Sequence, residues 1–246
     1  MVSISRINLP AVDSTNSFVR AMLQEEGTGR VVSADPLPGF TLVVADDQTK
    51  GRGQQGNAWE TEKGKNLTFS LLCHPDFLLA SRQWLLSQCM AVAIQQTISR
   101  YVEGVEVKWP NDIYVGDEKI SGTLIECDLQ GKRVSNYIMG VGIIINQTVF
   151  RSDAPNPTSL KLLTGREHDR EEILSLLLNH FQHYYTHCRR DTRRPFVSCI
   201  CNTSIVVRAF TVIAMFVESL WRNWQMWNRL GIFACVLLMA TWCVTN

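Results

Sequence analysis

Apolar residues recur at helical spacing in three stretches of the chain. After the polar run 13–16, residues 18–23 carry apolar side chains at i, i+1, i+4 and i+5. The Asp, Ser and Thr of that run suit a helix start, where a side-chain oxygen satisfies an unpaired backbone amide. Apolar stripes also cover 84–101 and 171–185. The pattern therefore predicts three amphipathic helices.

Short apolar runs rich in β-branched residues lie between these helices and predict strands. They cover residues 40–45, 67–72, 105–109, 113–115, 119–127 and 137–146. The Gly-Asp-Glu turn at 116–118 joins two of them as a hairpin. Because hairpins alternate with helices along the chain, we expect an α+β fold with a mixed, largely antiparallel sheet packed with helices.

A glycine-rich segment between the first two strands is the strongest candidate for a ligand-binding loop. Residues 51–59 read Gly-Arg-Gly-Gln-Gln-Gly-Asn-Ala-Trp, with Gln48 just before them. Glycines at this density permit positive φ and let the backbone approach a ligand closely, although a surface turn would have the same composition. Gly140 and Gly142, inside a later apolar strand, also leave room for a close approach.

A second polar segment follows the strand at 105–109. Residues 108–112 read Lys-Trp-Pro-Asn-Asp, and Lys119 lies on the facing arm of the predicted hairpin. Lys108, Arg52 and Lys119 could converge on one anion, such as a phosphate or carboxylate. No Ser or Cys stands beside a His to suggest covalent catalysis. The chemistry indicated is positioning and charge stabilisation, as nucleotidyl transfer requires.

Amino-acid composition excludes only a few classes of function and partner. The 24 basic and 23 acidic residues nearly balance, so net charge does not suggest nucleic acid as a partner. Three of the eight cysteines lie isolated among apolar residues, as reduced core cysteines do, and no Cys or His spacing suggests a metal site. The first ten residues do not form a leader, so we expect a cytoplasmic protein.

Five ordered motifs between residues 7 and 185 resemble the biotin protein ligase family. They are Ser-Thr-Asn at 14–16, the glycine segment 51–59, Lys-Trp-Pro-Asn-Asp at 108–112, Lys-Ile-Ser-Gly at 119–122, and Gly-Val-Gly at 140–142 with Asn146. The resemblance implies a biotin/lipoate ligase-like fold related to class II synthetases. It also implies synthesis of biotinyl-5′-AMP from biotin and ATP with Mg²⁺, then transfer of biotin to a lysine of a biotin carboxyl carrier domain, as in acetyl-CoA carboxylase.

The resemblance also assigns roles to particular residues. Biotin contacts fall on Ser14, Thr15, Asn16, Gln48, Gly51, Arg52, Gly53, Gln54, Lys119 and Gly122. Nucleotide contacts fall on Gly56, Trp59, Asn111 and Asn146, and the catalytic cations would be Arg52, Lys108 and Lys119. Asp112 would bind Mg²⁺ or hold Lys108. Many family members have arginine where Gln54 stands, so adenylate retention here would depend more on Arg52 and Lys119.

Simpler interpretations of single residues stay open. Ser14 could serve only as a helix cap, and Asp112 only as a turn carboxylate after proline. Trp59 and Trp109 could be packing residues. A lipoate-type protein ligase would share the fold, and a homodimer is possible. No winged-helix segment precedes residue 7, so a DNA-binding role has no support in the sequence.

Residues 188–246 differ in character from the preceding part, so we expect a catalytic domain at 1–187 followed by an atypical tail. The tail is rich in Cys and Trp, whereas the family usually continues into an SH3-like barrel. Permitted codons for 200–236 also encode a polar, alternating sequence in a shifted frame, so a frameshift is one hypothesis. The uncharged run 230–244 is shorter than the ~20 residues that span a bilayer. A membrane-tethered binding protein is therefore disfavoured but stays open.

Overall fold

We describe a computed structural model, which covers residues 3–27, 39–53, 57–108, 111–152 and 156–190. The strands are β1 (Ile4–Leu9), β2 (Phe40–Ala45), β3 (Leu67–Cys73), β4 (Val105–Lys108), β5 (Asp112–Val115), β6 (Glu118–Gln130) and β7 (Arg133–Ile143). The helices are α1 (Thr15–Gly27), α2 (Trp84–Ile98), α3 (Leu160–Thr164) and α4 (Arg170–Arg190), and a short 3-10 helix spans Ala80–Arg82.

The seven strands form one sheet in the order β1-β2-β3-β7-β6-β5-β4. Only β1 and β2 pair in parallel, since α1 connects them, and the other neighbours are antiparallel. This confirms the predicted α+β class with a mixed, largely antiparallel sheet. The hairpin predicted around 116–118 is also confirmed, as β5 and β6 pair across Gly116, whose φ is +57°.

Helices cover both faces of the sheet. On one face, Val19 of α1 packs in a core with Val43, Leu72 and Ile138. On the other face, Phe40 meets α4, with its ring centroid 4.9 Å from that of Tyr185, and α2 packs along α4. Because side chains alternate along β2, Phe40 and Val43 point to opposite faces. This explains why every residue of β2 and β3 is buried.

The element boundaries differ from the sequence predictions at several ends. Helix α2 stops at Ile98 rather than 101, and β7 starts at Arg133 and stops at Ile143 rather than spanning 137–146. Helix α4 continues through the predicted boundary at 187 to Arg190. The predictions for 188–246 therefore fall outside the described residues, except that 188–190 complete this helix. Among the residues described, no helix is long and apolar enough to cross a membrane.

Candidate active site

A cavity of about 180 Å³ opens on the α1 face of the sheet, beside the first turn of α1. It brings together eleven of the residues to which the sequence assigned a contact with biotin, nucleotide or Mg²⁺, or a catalytic role. They are Ser14, Thr15, Asn16, Gln48, Arg52, Gly53, Trp59, Asn111, Asp112, Lys119 and Gly122. These residues come from four separate motifs, so the cavity is assembled by the fold rather than by one segment.

The floor of the cavity follows from the register of three central strands. Across β3, β7 and β6, Leu72, Ile138 and Glu126 form one row, Ser70, Gly140 and Leu124 the next, and Thr68, Gly142 and Gly122 the third. Helix α1 packs on the first row. Glycines in the other two rows remove side chains from the same face, so space remains beside the helix.

One end of the cavity is a buried polar network. The Gln48 Oε1 atom accepts hydrogen bonds from the backbone N–H of Thr15 at 2.9 Å and from its hydroxyl at 3.2 Å. The Ser70 hydroxyl donates to Asn16 Oδ1 at 2.6 Å and lies 2.8 Å from Thr15 Oγ1. A Cβ at Gly140 would lie 2.4 Å from Asn16 Oδ1. Only glycine at 140 therefore admits Asn16 in this position.

The Trp59 side chain occupies the other glycine row. A Cβ at Gly142 would lie 2.2 Å from Trp59 Cε2, and one at Gly122 would lie 3.2 Å from Cζ3. The indole thus rests directly on the sheet backbone, with the Lys119 ammonium 5.9 Å from the centroid of its ring. The expected close approach to the strand glycines is confirmed, and the approaching groups are Asn16 and Trp59.

The described part of the glycine segment forms a narrow hairpin. Arg52 and Ala58 form an isolated antiparallel bridge, the Gly53 N–H donates to the Asn57 carbonyl at 2.6 Å, and the Trp59 N–H donates to the Gly51 carbonyl at 2.9 Å. A Cβ at Gly51 would lie 2.3 Å from the Trp59 carbonyl oxygen, so this position requires glycine. Gln54 and Gly56 lie outside the described residues.

Two of the three expected cations reach the cavity. The Lys119 Nζ atom lies 2.6 Å from Asp112 Oδ2, and Arg52 Nη2 lies 3.2 Å from Glu126 Oε1. Lys108 differs from the expectation. It lies opposite Asp112 on the cavity face of the sheet, but its ammonium lies 4.7 Å from the centroid of the Tyr114 ring and the residue does not line the cavity. Asp112 therefore holds Lys119 rather than Lys108.

The two asparagines assigned to the nucleotide have different positions. Asn111 is buried, lines the cavity and donates through its side-chain amide to the Thr123 carbonyl. Asn146 lies outside the cavity, since its Nδ2 donates to the His168 carbonyl and its Oδ1 accepts from the His168 N–H, both at 2.9 Å. In this structure the Asn146 side chain therefore holds the segment before α4, and its assignment to the nucleotide stays a prediction.

Among the described residues that line the cavity, Asp112 is the only carboxylate. Within the described ranges, no group of three His, Cys, Asp or Glu side chains could hold a metal ion. Mg²⁺ binds a few carboxylate and phosphate oxygens and keeps several waters. Asp112 fits Mg²⁺ as one ligand of an ion held mainly by phosphate oxygens, and it does not form a protein metal site on its own.

Two residues of the site were not predicted. Ser70 links Thr15 and Asn16 from the floor, and Glu126 holds Arg52 beside the cavity. Each carried a weak signal, because Ser70 is a hydroxyl in a fully buried strand and Glu126 a charge among apolar strand residues. Polar groups buried in this way require partners. The sequence could not show which partners those were.

Known proteins share this architecture. Residues 24–143 match the model of the "Biotin/lipoate A/B protein ligase family". The chain is 34% identical over 165 residues to the "Bifunctional ligase/repressor BirA" of Bacillus subtilis, covering 64% of this chain and 50% of that protein. It is 30% identical over 152 residues to a "Biotin--[acetyl-CoA-carboxylase] ligase" of Paracoccus denitrificans, covering 58% and 62%.

Solved structures agree with these relatives. The biotin protein ligase of Aquifex aeolicus in complex with biotin and ATP superposes with a TM-score of 0.63 at 28% identity, over 79% of this chain and 74% of that chain. The fold and cavity are therefore those of a domain like the biotin/lipoate ligases. Within this class, the chain is similar to biotin protein ligases. It spans about half the length of the Bacillus relative.

Proposed function

We propose that this chain is an ATP-dependent ligase that activates biotin as biotinyl-5′-AMP and transfers it to a lysine of a biotin carboxyl carrier protein. The observation that carries the proposal is that a buried polar network and a Lys119–Asp112 pair line one cavity, whose floor contains strand glycines. Relatives whose names specify biotin ligation, and a similar structure with biotin and ATP, support the choice of substrates.

Biotin would bind at the polar end. Its ureido group offers one carbonyl acceptor and two N–H donors, and a buried site must satisfy each of them. Ser14, Thr15 and Asn16 present hydroxyl and amide groups on the cavity wall, and Gln48 fixes Thr15. The network is anchored in α1 and β3, so this end is formed before any ligand arrives.

In the first step, a biotin carboxylate oxygen attacks the α-phosphorus of ATP. The new carboxyl–phosphorus bond replaces the bond to the leaving oxygen, and pyrophosphate departs with its electron pair. Lys119 and Arg52 would face the carboxylate and the α-phosphate, where their charges offset the repulsion between two anions and stabilise the transition state. Asp112 keeps the Lys119 ammonium in place at 2.6 Å.

In the second step, the neutral amine of the carrier lysine attacks the acyl carbon of the adenylate. An amide bond forms, the acyl–phosphate oxygen bond breaks, and AMP leaves with that electron pair while the amine proton passes to solvent. The hairpin at 51–53 and 57–59 would cover the adenylate between the steps, with Gly51 and Gly53 allowing close approach. Gln54, in the segment between these arms, is uncharged and so would not help to hold the adenylate by electrostatic attraction.

The nucleotide would extend toward Trp59 and Asn111, with Gly56 in the loop beside it. Lys108 would act on the phosphates only after leaving the Tyr114 ring, so its role requires a side-chain rotation. Mg²⁺, when bound, would neutralise phosphate charge, with Asp112 as the one cavity carboxylate available to it.

The test is incubation of the purified full chain with ATP, biotin and a biotin carboxyl carrier domain, followed by mass spectrometry of the carrier. We expect one biotinyl group on one lysine, together with biotin-dependent pyrophosphate release. Omitting ATP is the control. A carrier that stays unmodified, with no pyrophosphate released above the biotin-free background, contradicts the proposal.

The family model covers lipoate as well as biotin ligases, so lipoate is the second candidate substrate. The polar network favours biotin, because the ring of lipoate offers no amide donors or acceptors to satisfy it. Competition between biotin and lipoate for binding would decide, and we expect biotin to displace lipoate at equal concentration. The reverse order would favour a lipoate ligase.

A further inference from the structure

Glu126 is a charged residue at the edge of the cavity that the proposed chemistry does not use. Its Oε1 accepts from Asn16 Nδ2 at 3.1 Å and from Arg52 Nη2 at 3.2 Å, and its Oε2 accepts from Arg20 Nε at 2.9 Å. The side chain is only 24% exposed. It stands in the sheet row on which α1 packs, next to the row that begins the cavity floor.

The protonation state of Glu126 follows from these partners. Burial would raise its pKa, but the hydrogen bonds from Arg20 and Asn16 and the charge of Arg52 more than offset this, so the pKa lies below its ordinary value. The carboxylate is therefore charged at neutral pH. A charged group with two guanidinium partners attracts either of them more strongly than a neutral amide would.

The two arginines are held very differently. Arg20 is fixed from two sides, since its Nη1 also binds Asp128 Oδ1 at 2.6 Å, and it is carried by helix α1. Arg52 is half exposed, and its other side-chain partner is the Ser17 hydroxyl at 3.2 Å. The contact of Glu126 with Arg20 is therefore firmly held, whereas its contact with Arg52 can open.

The contact between Glu126 and Arg52 restrains both arms of the hairpin, because the arms are bonded to each other. Arg52 bridges to Ala58, and the Trp59 N–H bonds to the Gly51 carbonyl, so the two arms move together. The hairpin then has two attachments to the sheet, the Trp59 indole on the glycine row and Arg52 on Glu126. An ion pair with a half-exposed arginine is weak enough to open during turnover.

We propose that Glu126 is a positioning residue that latches the glycine hairpin over the cavity through Arg52, and so limits escape of the bound acyl-adenylate. The effect of the latch on adenylate escape rests on the proposed function. The attachment of the hairpin by the Glu126–Arg52 contact can be tested without ligand. Arg20 and Asn16 keep the carboxylate aimed at Arg52. Glu126 itself does not line the cavity.

The test compares Glu126→Gln with Asp128→Asn in the full chain. Both changes replace a carboxylate by an amide and both remove a charge facing Arg20, but only Glu126 contacts Arg52. The first measurement is hydrogen exchange of the Gly53 and Trp59 amides in the ligand-free protein. We expect Glu126→Gln to speed exchange about threefold to tenfold, as loss of one partly exposed ion pair allows, and Asp128→Asn to leave it within twofold.

The second measurement is the rate at which biotinyl-adenylate leaves the protein, followed by trapping of released adenylate. Glu126→Gln should speed release about threefold to tenfold, with little added effect in an Arg52→Gln background, because the two residues act as one contact. If the wild-type chain forms no adenylate, the proposed function fails and the exchange comparison alone decides the latch.

Equal effects of Glu126→Gln and Asp128→Asn would overturn the proposal, since they would show that Glu126 only supports α1. An unchanged exchange rate in Glu126→Gln, or effects of Glu126 and Arg52 that simply add, would also overturn it. Should Glu126→Gln fail to fold, Arg52→Gln alone decides. It lies in the hairpin outside the core, and it must speed Trp59 exchange by the same factor.

Discussion

Replacing Gly140 by alanine should disturb the polar end of the site by a calculable amount. The added Cβ would lie 2.4 Å from Asn16 Oδ1 and 2.9 Å from its Cγ, inside the ~3.5 Å at which heavy atoms make favourable contact. Asn16 is 2% exposed and lines the cavity, so the amide can retreat only into the cavity and away from Ser70, which is fully buried. We expect it to leave its hydrogen bonds to Ser70 and to Glu126.

The magnitude follows from those two bonds. Each contributes about 0.5–1.5 kcal/mol net, and Ser70 and Glu126 keep other partners, so the loss is about 1–3 kcal/mol. Alanine also restricts the unfolded chain, which returns about 0.4–1 kcal/mol. We therefore expect Gly140→Ala to lower the free energy of unfolding by about 1–2 kcal/mol in urea titrations, and to weaken biotin binding measured by calorimetry.

The control is the same substitution in an Asn16→Ala background. Without the amide there is no clash at 140, so adding Gly140→Ala should change the free energy of unfolding by less than about 0.5 kcal/mol. Two effects that add in full would show that the alanine acts elsewhere. A single Gly140→Ala variant with wild-type stability would refute the reasoning outright.

Other expectations follow from the site. Lys119→Ala should lose most biotin-dependent pyrophosphate release, and an unchanged rate would contradict its role. Asp112→Asn should slow release on the order of tenfold, since a charge-assisted hydrogen bond contributes about 1.5 kcal/mol to placing Lys119; faster release would oppose this. Gln147→Leu removes a buried acceptor of Asn66, and should lower the free energy of unfolding by about 2–4 kcal/mol in urea titrations; a loss below about 1 kcal/mol would argue against it. The pKa of Glu126 is depressed below 4.5, so its contribution is full above pH 4.5 and lost as pH falls through the lowered value. The difference in hairpin exchange between wild type and Glu126→Gln should therefore shrink below pH 4.5, and a constant difference would count against the latch.

Local sequence pattern was enough to predict most of the helices and strands, although it missed β1 and the short α3. The stripe that predicts α2 and the hairpin of β5 and β6 depend on neighbours within a few residues, and periodicity reports such contacts. Local pattern could not predict contacts between residues that are far apart in the sequence. Glu126 meets Arg20 across 106 positions, and the row that joins Ser70 to Gly140 depends on strand pairing.

Contacts with neighbouring groups explain why two expected site residues do not line the cavity. Lys108 lies opposite Asp112 on the cavity face, but its ammonium lies over the Tyr114 ring instead. Asn146 follows β7 and has both amide atoms bonded to the backbone of His168. A motif predicts which residues lie near a site, but it does not predict which neighbouring groups their side chains contact.

Different contacts hold the two ends of the cavity in place. We therefore expect substitutions at the two ends to have different effects on ligand binding. Asn16 belongs to a buried network between a helix and a strand, so a change there alters the site before any ligand binds. Trp59 belongs to a hairpin held by the contact of its indole with the sheet and by the half-exposed Arg52, which pairs with Glu126 and donates to Ser17. A change there alters how long the closed state lasts. Substitutions at the polar end should therefore lower the affinity for biotin, whereas substitutions in the hairpin or at Glu126 should mainly speed loss of the adenylate.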